Sequence, residues 1–138
     1  MGKTTLIVGL IGTGKTEYAK RIANGALVYD LDYLKSSLTF SEVHSIDDPD
    51  ARKVANAFLD TFIEAGRATG RDLIVIRMAP KLTELERIKP DKLVVMRKEY
   101  DVSNREDFHE IDRDEYEMRL NACIKWCDHH NVQIDFKE

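Results

Sequence analysis

The chain has 138 residues, of which 43% are hydrophobic and 33% charged, and this balance argues against a disordered, coiled-coil or membrane protein. We therefore expect one compact domain over residues 1–138. The formal net charge of −4 gives no general attraction for nucleic acid or an anionic membrane, so any phosphate binding must be local. Because no apolar run is long enough for a membrane span and no signal peptide is recognisable, the sequence predicts a cytoplasmic protein.

Predicted strands and helices alternate along the whole chain. Short apolar runs, most of them β-branched, predict strands, and apolar residues at spacings of three and four predict helices between them. The predicted strands are 4–9, 26–30, 72–78, 92–96 and 132–136, and the predicted helices are 14–24, 31–38, 50–67, 81–89 and 113–131. This alternation predicts an α/β fold: a three-layer α/β/α P-loop NTPase architecture with a five-stranded parallel sheet. Ligands then bind at the carboxyl ends of the strands.

Two predicted helices show an apolar face. In the helix over 113–131 the expected core positions include Tyr116, Cys123 and Cys127, and the two cysteines indicate reduced thiols on one helix face. In the helix over 50–67, the repeat at three and four predicts that the inward side chains are Val54, Ala57, Phe58, Thr61, Phe62 and Ala65.

Residues 9–16 read Gly-Leu-Ile-Gly-Thr-Gly-Lys-Thr and satisfy the P-loop pattern of glycine, four residues, glycine, lysine and serine or threonine. The motif lies between a predicted strand and a predicted helix, where backbone N–H groups and the helix N-terminus can converge on a phosphate. The alternative, a glycine-rich turn that matches by chance, is disfavoured by this context. The expected nucleotide-binding residues are Gly9, Gly12, Thr13, Gly14, Lys15 and Thr16.

Two side chains of this loop have specific expected roles. Lys15 is placed to reach the β- and γ-phosphates of ATP as a point charge, and the hydroxyl of Thr16 is placed to coordinate Mg²⁺. The predicted cofactors are therefore ATP and Mg²⁺.

Asp30 and Asp32 follow at the end of the second predicted strand, where a period of two would direct both carboxylates to the same side. Two acids at this edge can divide phosphoryl transfer, one holding Mg²⁺ and the other accepting a proton from an attacking hydroxyl. The alternative is a strand-end pair that caps the next helix. The sequence leaves both open.

With its P-loop followed by Asp30-Leu31-Asp32, the chain resembles the small P-loop kinases that include shikimate, gluconate, adenylate-type and polynucleotide 5′-kinases. It looks closer still to short AAA-type ATP-binding proteins of phages and prophages, which carry a similar Asp-Leu-Asp and a later strand ending in Arg and Pro, here Arg77 to Pro80. The resemblance implies that Asp30 helps to hold Mg²⁺ and that Asp32 is the catalytic base or binds the acceptor. It also places Lys35 in the same cleft.

Arg77, at the end of the third predicted strand, can clamp an anionic acceptor, although a surface arginine at a sheet edge is an equal alternative. Many P-loop NTPases have an acid at this position, and this chain has none. Residues 97–112 offer Arg97, Lys98 and Arg105 as lid candidates that stabilise the γ-phosphate, of which we favour Arg105 as a catalytic residue. A solvated charged face is the more frequent meaning of such a run.

Two functions remain open from the sequence. The first is a Mg²⁺·ATP-dependent kinase acting on a small hydroxyl- or phosphate-bearing acceptor, such as a nucleotide or a nucleic-acid 5′-end. The second is an ATP-binding or weakly hydrolysing accessory protein in which the nucleotide acts as a switch for a partner. The sequence gives neither the acceptor nor the oligomeric state.

Overall fold

A computed structural model describes residues 2–44, 48–99 and 112–138. In this part of the chain, strands and helices follow one another in the order that the sequence predicts, including the two consecutive helices between β2 and β3. The elements are β1 (Thr4–Val8), α1 (Lys15–Ile22), β2 (Leu27–Asp30), α2 (Leu31–Thr39), α3 (Pro49–Ala68), β3 (Leu73–Arg77), α4 (Leu82–Ile88), β4 (Lys92–Met96), α5 (Arg113–His129) and β5 (Gln133–Lys137).

The strands form one parallel sheet in the order β2-β3-β1-β4-β5. The predicted α/β class and five-stranded parallel sheet are therefore confirmed. β1 lies at the centre, between β3 and β4, so the segment that follows it emerges at the middle of the sheet's carboxyl edge. β2 is an edge strand, which places α2 at one side of that edge.

Helices cover both faces of the sheet: α1 packs on one face, and α3, α4 and α5 pack on the other. Alternate side chains of the strands belong to two separate clusters, because successive strand residues point to opposite faces. On one face Ile7, Ile74 and Val94 pack with Ala19 of α1. On the other face, Leu6, Val75 and Leu93 belong to the larger cluster with α3, α4 and α5. That second cluster also contains Cys123 and Cys127, as expected for core thiols.

The predicted core face of α3 is wrong. Val54 and Phe58 are 47% and 44% exposed. The side of the helix that meets the sheet follows a spacing of four, with a final step of three: its buried residues are Ala51, Ala55, Leu59, Ile63 and Gly66. Small residues along this face allow α3 to approach the sheet closely, and a side chain at Gly66 would collide with Leu73. The neighbouring stripe of Val54 and Phe58 has a similar apolar period, so periodicity alone did not distinguish the two faces.

Candidate active site

The glycine-rich segment connects β1 to α1 at the centre of the sheet's carboxyl edge. Its first residue, Gly9, is held to the segment that follows β3, because the N–H of Gly9 donates to the carbonyl of Met78 at 3.1 Å. Gly12 and Gly14 have φ angles of 79° and 81°, in the left-handed region that favours glycine. Gly14 is also the N-cap of α1. The loop therefore turns sharply and delivers the N-terminus of α1 to the sheet edge, which is a favourable place for an anion.

Close packing holds the base of this loop. A Cβ atom at Gly9 would lie 2.6 Å from the hydroxyl oxygen of Thr13 and 2.9 Å from the carbonyl of Met96, so a larger residue does not fit. Thr13 is buried, and its hydroxyl donates to the carbonyl of Leu10 at 2.8 Å. Thr13 is one of the residues predicted to bind the nucleotide. Its side chain stabilises the turn itself.

The Lys15 ammonium lies over the loop. Its Nζ donates to the carbonyl oxygens of Gly9 and Leu10 at 2.6 and 2.8 Å. These contacts hold the positive charge beside the first turn of α1, where the helix dipole adds to it. Both features attract negative charge to the same point.

Thr16 and Asp30 are in direct contact. The Thr16 hydroxyl donates to Oδ2 of Asp30 at 2.6 Å, and Oδ1 of the same carboxylate accepts the N–H of Asp32 at 3.0 Å. Asp30 is only 8% exposed and is the N-cap of α2. The capping alternative from the sequence is therefore confirmed for Asp30. It is compatible with a metal role, because the second oxygen faces the Thr16 hydroxyl.

Asp32 does not lie on the strand. β2 ends at Asp30 and α2 begins at Leu31, so the expectation that a strand period of two aligns the two carboxylates is wrong. Asp32 is instead in the first turn of α2, with 36% of its side chain exposed. Its two oxygens lie 3.5 Å from Nζ of Lys35 and 3.6 Å from Nδ1 of His44. Helical spacing explains the pair with Lys35, three residues on.

His44 is a neighbour of the site that the sequence analysis missed. It lies in the loop after α2 with a φ angle of 67°, and its ring is brought back to the first turn of that helix. No spacing rule connects a loop histidine to an aspartate twelve residues earlier. Only the path of the loop, which the sequence did not specify, creates this contact.

Lys15, Asp30 and Asp32 border one open cleft of about 800 Å³ at the carboxyl edge of the sheet. Side chains from the phosphate loop, the end of β2, α2, α3 and β3 contribute to its wall. The cleft brings together five of the residues predicted from the sequence, namely Lys15, Asp30, Asp32, Lys35 and Arg77. Its volume lies within the range of small-molecule sites and leaves room for a second ligand beside a bound phosphate.

Arg77 is held in a defined orientation at the end of β3. Its Nη2 lies 2.7 Å from Oε2 of Glu84, and its Nη1 donates to Oδ1 of Asn56 at 2.7 Å. Oε1 of Glu84 in turn accepts the backbone N–H of Lys81 at 3.2 Å. β3 is an interior strand and the Arg77 side chain is 18% exposed, so the alternative of a surface arginine at a sheet edge is wrong. The guanidinium ties α3 to α4 beneath the cleft.

The lid candidates are only partly described. Arg97 follows β4, stacks over the ring of Phe136 at 4.1 Å and lies 3.4 Å from Oε1 of Glu138. Lys98 is exposed. Arg105 lies outside the described residues, so its catalytic role stays a prediction.

Two oxygen ligands, the Thr16 hydroxyl and the Asp30 carboxylate, lie beside the phosphate loop. In the described ranges no group of three or more His, Cys, Asp or Glu side chains could hold a metal ion. The adjacent oxygens of Thr16 and Asp30 fit Mg²⁺, which prefers one or two protein oxygens together with phosphate oxygens and water. Over the same ranges, no helix has the length and apolar character needed to cross a bilayer.

The glycine loop, the lysine over it and the Thr16–Asp30 pair at the edge of a parallel sheet define a P-loop nucleotide-binding domain. The family model described as AAA domain matches residues 5–122, so the chain belongs to this family. An unliganded sugar kinase from Janibacter sp. HTCC2649 aligns with a TM-score of 0.44 and 15% sequence identity, over 93% of this chain and 95% of that one. No curated protein sequence matches.

Proposed function

We propose that the chain is a Mg²⁺·ATP-dependent phosphotransferase, which transfers the γ-phosphoryl group to a small hydroxyl- or phosphate-bearing acceptor such as a nucleotide or a nucleic-acid 5′-end. One observation carries the proposal. Two of the carboxylates that line the cleft follow one another at the end of β2 and lie in different environments: Asp30 is buried with both oxygens hydrogen-bonded, and Asp32 is one-third exposed. Phosphoryl transfer needs one acid near the metal and one near the acceptor, and this difference suits the two tasks.

The nucleotide side of the site consists of the loop from Gly9 to Thr16. Its backbone and the α1 N-terminus would receive the phosphates, and Lys15 would neutralise charge on the β- and γ-phosphates. Thr16 would bind Mg²⁺ directly, and Asp30 would bind it directly or through water. When bound, the ion would neutralise negative charge on the phosphates.

The acceptor side is formed by Asp32, Lys35 and Arg77. Asp32 accepts the proton of the acceptor's hydroxyl group while the oxygen of that hydroxyl forms a bond to the γ-phosphorus. At the same time, the bond between the γ-phosphorus and the β–γ bridging oxygen breaks, and ADP is released. Lys35 lies 3.5 Å from Asp32 and orients this carboxylate. For an acceptor that already carries the attacking phosphate oxyanion, Asp32 positions the acceptor and takes up no proton.

Transfer from labelled Mg²⁺·ATP to a panel of nucleosides, nucleoside monophosphates, 5′-hydroxyl oligonucleotides and small metabolites tests this function. Asp32→Asn should lower transfer to a hydroxyl acceptor by about 100-fold or more, with unchanged ATP affinity, since a positioned base contributes about 10²–10⁴-fold. Asp135→Asn is the matched control: Asp135 lies on β5, is 32% exposed and pairs with Lys92 at 3.0 Å. Equal loss in both variants, or none in either, would contradict the role of Asp32.

A nucleotide-dependent binding protein is the second candidate. It is favoured by Arg77, because the third strand ends in a basic residue where many P-loop NTPases have an acid, and this arginine is engaged by Glu84 and Asn56. In this case Lys15→Ala abolishes both ATP binding and function, while Asp32→Asn leaves both intact. Absence of transfer to every acceptor, together with Lys15-dependent ATP binding, would favour this candidate.

A further inference from the structure

Asn56 lines the cleft from α3, and the backbone beside it is held in place. The neighbouring residue Ala55 is buried, and its carbonyl accepts the hydroxyl of Tyr29 at 2.6 Å. Tyr29 immediately precedes Asp30 in β2. The turn of α3 that carries Asn56 is therefore tied to the strand that ends at the candidate metal ligand.

The orientation of the Asn56 amide follows from the chemistry of its partner. Nη1 of Arg77 donates to Oδ1 of Asn56 at 2.7 Å. A guanidinium has donors and no acceptor, so the amide atom that faces it has to be the oxygen. The NH₂ group of Asn56 is then the end of the amide that is turned away from Arg77. Because Glu84 holds Arg77 at 2.7 Å, two successive contacts determine where this NH₂ group lies.

The oxygen atoms of this network are already engaged. Oδ1 of Asn56 and Oε2 of Glu84 both meet the guanidinium of Arg77, and Oε1 of Glu84 accepts the N–H of Lys81 at 3.2 Å. The groups that the network can offer to a ligand are therefore donors, above all the two N–H bonds of the Asn56 amide. A ligand group that only accepts is satisfied there, whereas an amino or hydroxyl group would direct its own hydrogen against a donor.

The charge of the network narrows the ligand group further. Arg77 and Glu84 form an ion pair whose side chains are 18% and 14% exposed, and Asn56 is uncharged. The three side chains together carry no net charge, so they give no electrostatic preference for a phosphate or a carboxylate. An oxygen that accepts hydrogen bonds, donates none and carries no charge is a carbonyl oxygen.

We propose that Asn56 is a specificity residue that donates through Nδ2 to a carbonyl oxygen of the acceptor, with Arg77 as the residue that positions it. The proposal rests on the phosphotransferase function and narrows its substrate class. The acceptor carries a carbonyl group in addition to the group that is phosphorylated, as in a nucleoside with a ring carbonyl or a sugar with an amide. The cleft of about 800 Å³ has room for either molecule beside the phosphate loop.

The test compares acceptors that differ at one group, each with Mg²⁺·ATP. Inosine and uridine have a carbonyl where adenosine and cytidine have an amino group, and N-acetylglucosamine has an amide where glucose has a hydroxyl. The carbonyl member should have the higher kcat/KM, by about tenfold or more in the nucleoside pairs, because an amino group facing the Asn56 amide leaves both donors unpaired. A preference within the nucleoside pairs or within the sugar pair distinguishes the two sources of the carbonyl.

Asn56→Asp separates donation to the acceptor from support of Arg77. One carboxylate oxygen can still accept from Arg77, and the other replaces the NH₂ donor by an acceptor. The preference for the carbonyl member should be lost or reversed, since aspartate can accept from the amino group of adenosine or cytidine. The KM for ATP should not change. If Asn56→Asp keeps the full preference, then Asn56 only holds Arg77 and the proposal is overturned.

Two further variants complete the experiment. Asn56→Leu has a similar volume and no polar side-chain atom, so it should abolish the preference without reversing it. Asn121→Asp makes the same chemical change on α5, where Asn121 is exposed and lines a separate cavity. This control should keep the preference of the unchanged protein, and thermal unfolding checks the fold of each variant. An equal change of preference in Asn121→Asp and Asn56→Asp would overturn a specific role of Asn56.

A binding measurement distinguishes failure of this inference from failure of the proposed function. Calorimetry measures the affinity for each member of the three pairs, with the phosphate loop saturated by Mg²⁺ and a non-hydrolysable ATP analogue. Transfer without preference in any pair would overturn the carbonyl subsite and leave the phosphotransferase standing. No transfer, but tighter binding of a carbonyl member that Asn56→Asp removes, would overturn the phosphotransferase and leave the subsite. Neither transfer nor selective binding would overturn both.

Discussion

The Thr16 hydroxyl and the Asp30 carboxylate, 2.6 Å apart, connect the first turn of α1 to the end of β2. These residues are fourteen positions apart in the sequence. Thr16 lies in the helix that follows β1, and Asp30 is the last residue of β2. The contact exists because β1 and β2 both deliver their carboxyl ends to the same edge, with β3 between them. It places two oxygen atoms that could bind a metal ion, one from each side chain, beside the phosphate loop.

We expect Asp30→Asn to separate metal binding from folding. Asparagine is as good an N-cap as aspartate, so its side-chain oxygen can still accept the N–H of Asp32 and the free energy of unfolding should change by less than about 0.5 kcal/mol. The charge that favours Mg²⁺ is lost. The Mg²⁺ concentration for half-maximal ATP binding should rise by about tenfold or more, measured by fluorescent-nucleotide titration at several Mg²⁺ concentrations.

Thr16→Ser is the conservative companion to that experiment. It retains the hydroxyl that donates to Asp30, so its Mg²⁺ dependence should stay close to that of the unchanged protein. If Asp30→Asn leaves the Mg²⁺ dependence unchanged and only destabilises the fold, then Asp30 is a helix cap without a metal role.

Glu84 is expected to act through Arg77. Glu84→Gln removes the charge partner at 2.7 Å, and its amide oxygen can still accept the backbone N–H of Lys81. The orientation of Arg77 should become less defined, with an expected three- to tenfold rise in KM for the acceptor, roughly the effect of 1 kcal/mol. The KM for ATP should not change. Steady-state kinetics with each substrate varied in turn would reveal an equal rise in both values, which would refute a specific effect on the acceptor side.

Local patterns in the sequence predicted the phosphate loop and the sheet, because a nucleotide-binding loop uses consecutive residues and buried parallel strands are continuous apolar runs. The residues on the acceptor side of the cleft were harder to predict from the sequence. A strand period of two was extended to Asp32, whereas this residue lies in the first turn of α2, and the contact of His44 with Asp32 depends on the path of a loop. The partners of Arg77, Asn56 and Glu84, come from two helices whose relative positions are decided by packing on the sheet.

The correction to α3 gives a direct stability test. Leu59 is 4% exposed in the main core, so Leu59→Ala should lower the free energy of unfolding by about 2–5 kcal/mol through lost burial and the resulting cavity. Val54 was predicted to be a core residue and is 47% exposed, so Val54→Ala should change the free energy of unfolding by less than about 1 kcal/mol. Urea denaturation of both variants provides the measurement. Equal losses would favour the original assignment of the core face.

Tyr29 predicts a specific alkaline instability. Burial raises the pKa of its phenol to about 12, and its hydroxyl donates to the carbonyl of Ala55 at 2.6 Å. Because the folded-state pKa lies above the ordinary value of 10, the contribution of the neutral phenol to stability is complete below pH 10 and is lost as the pH rises toward 12. At pH 7, Tyr29→Phe should cost about 1 kcal/mol for the lost hydrogen bond.

Above pH 10 the Phe variant should lose stability less steeply than the unchanged protein, so the two curves of unfolding free energy should converge or cross by pH 12. Tyr116→Phe offers an independent comparison, since burial also raises the pKa of Tyr116 to about 12 and the same sign applies. Deprotonation of surface lysines affects all three proteins equally and cancels in the difference between curves. Parallel curves from pH 8 to 12 would show that the phenol of Tyr29 does not ionise with unfolding.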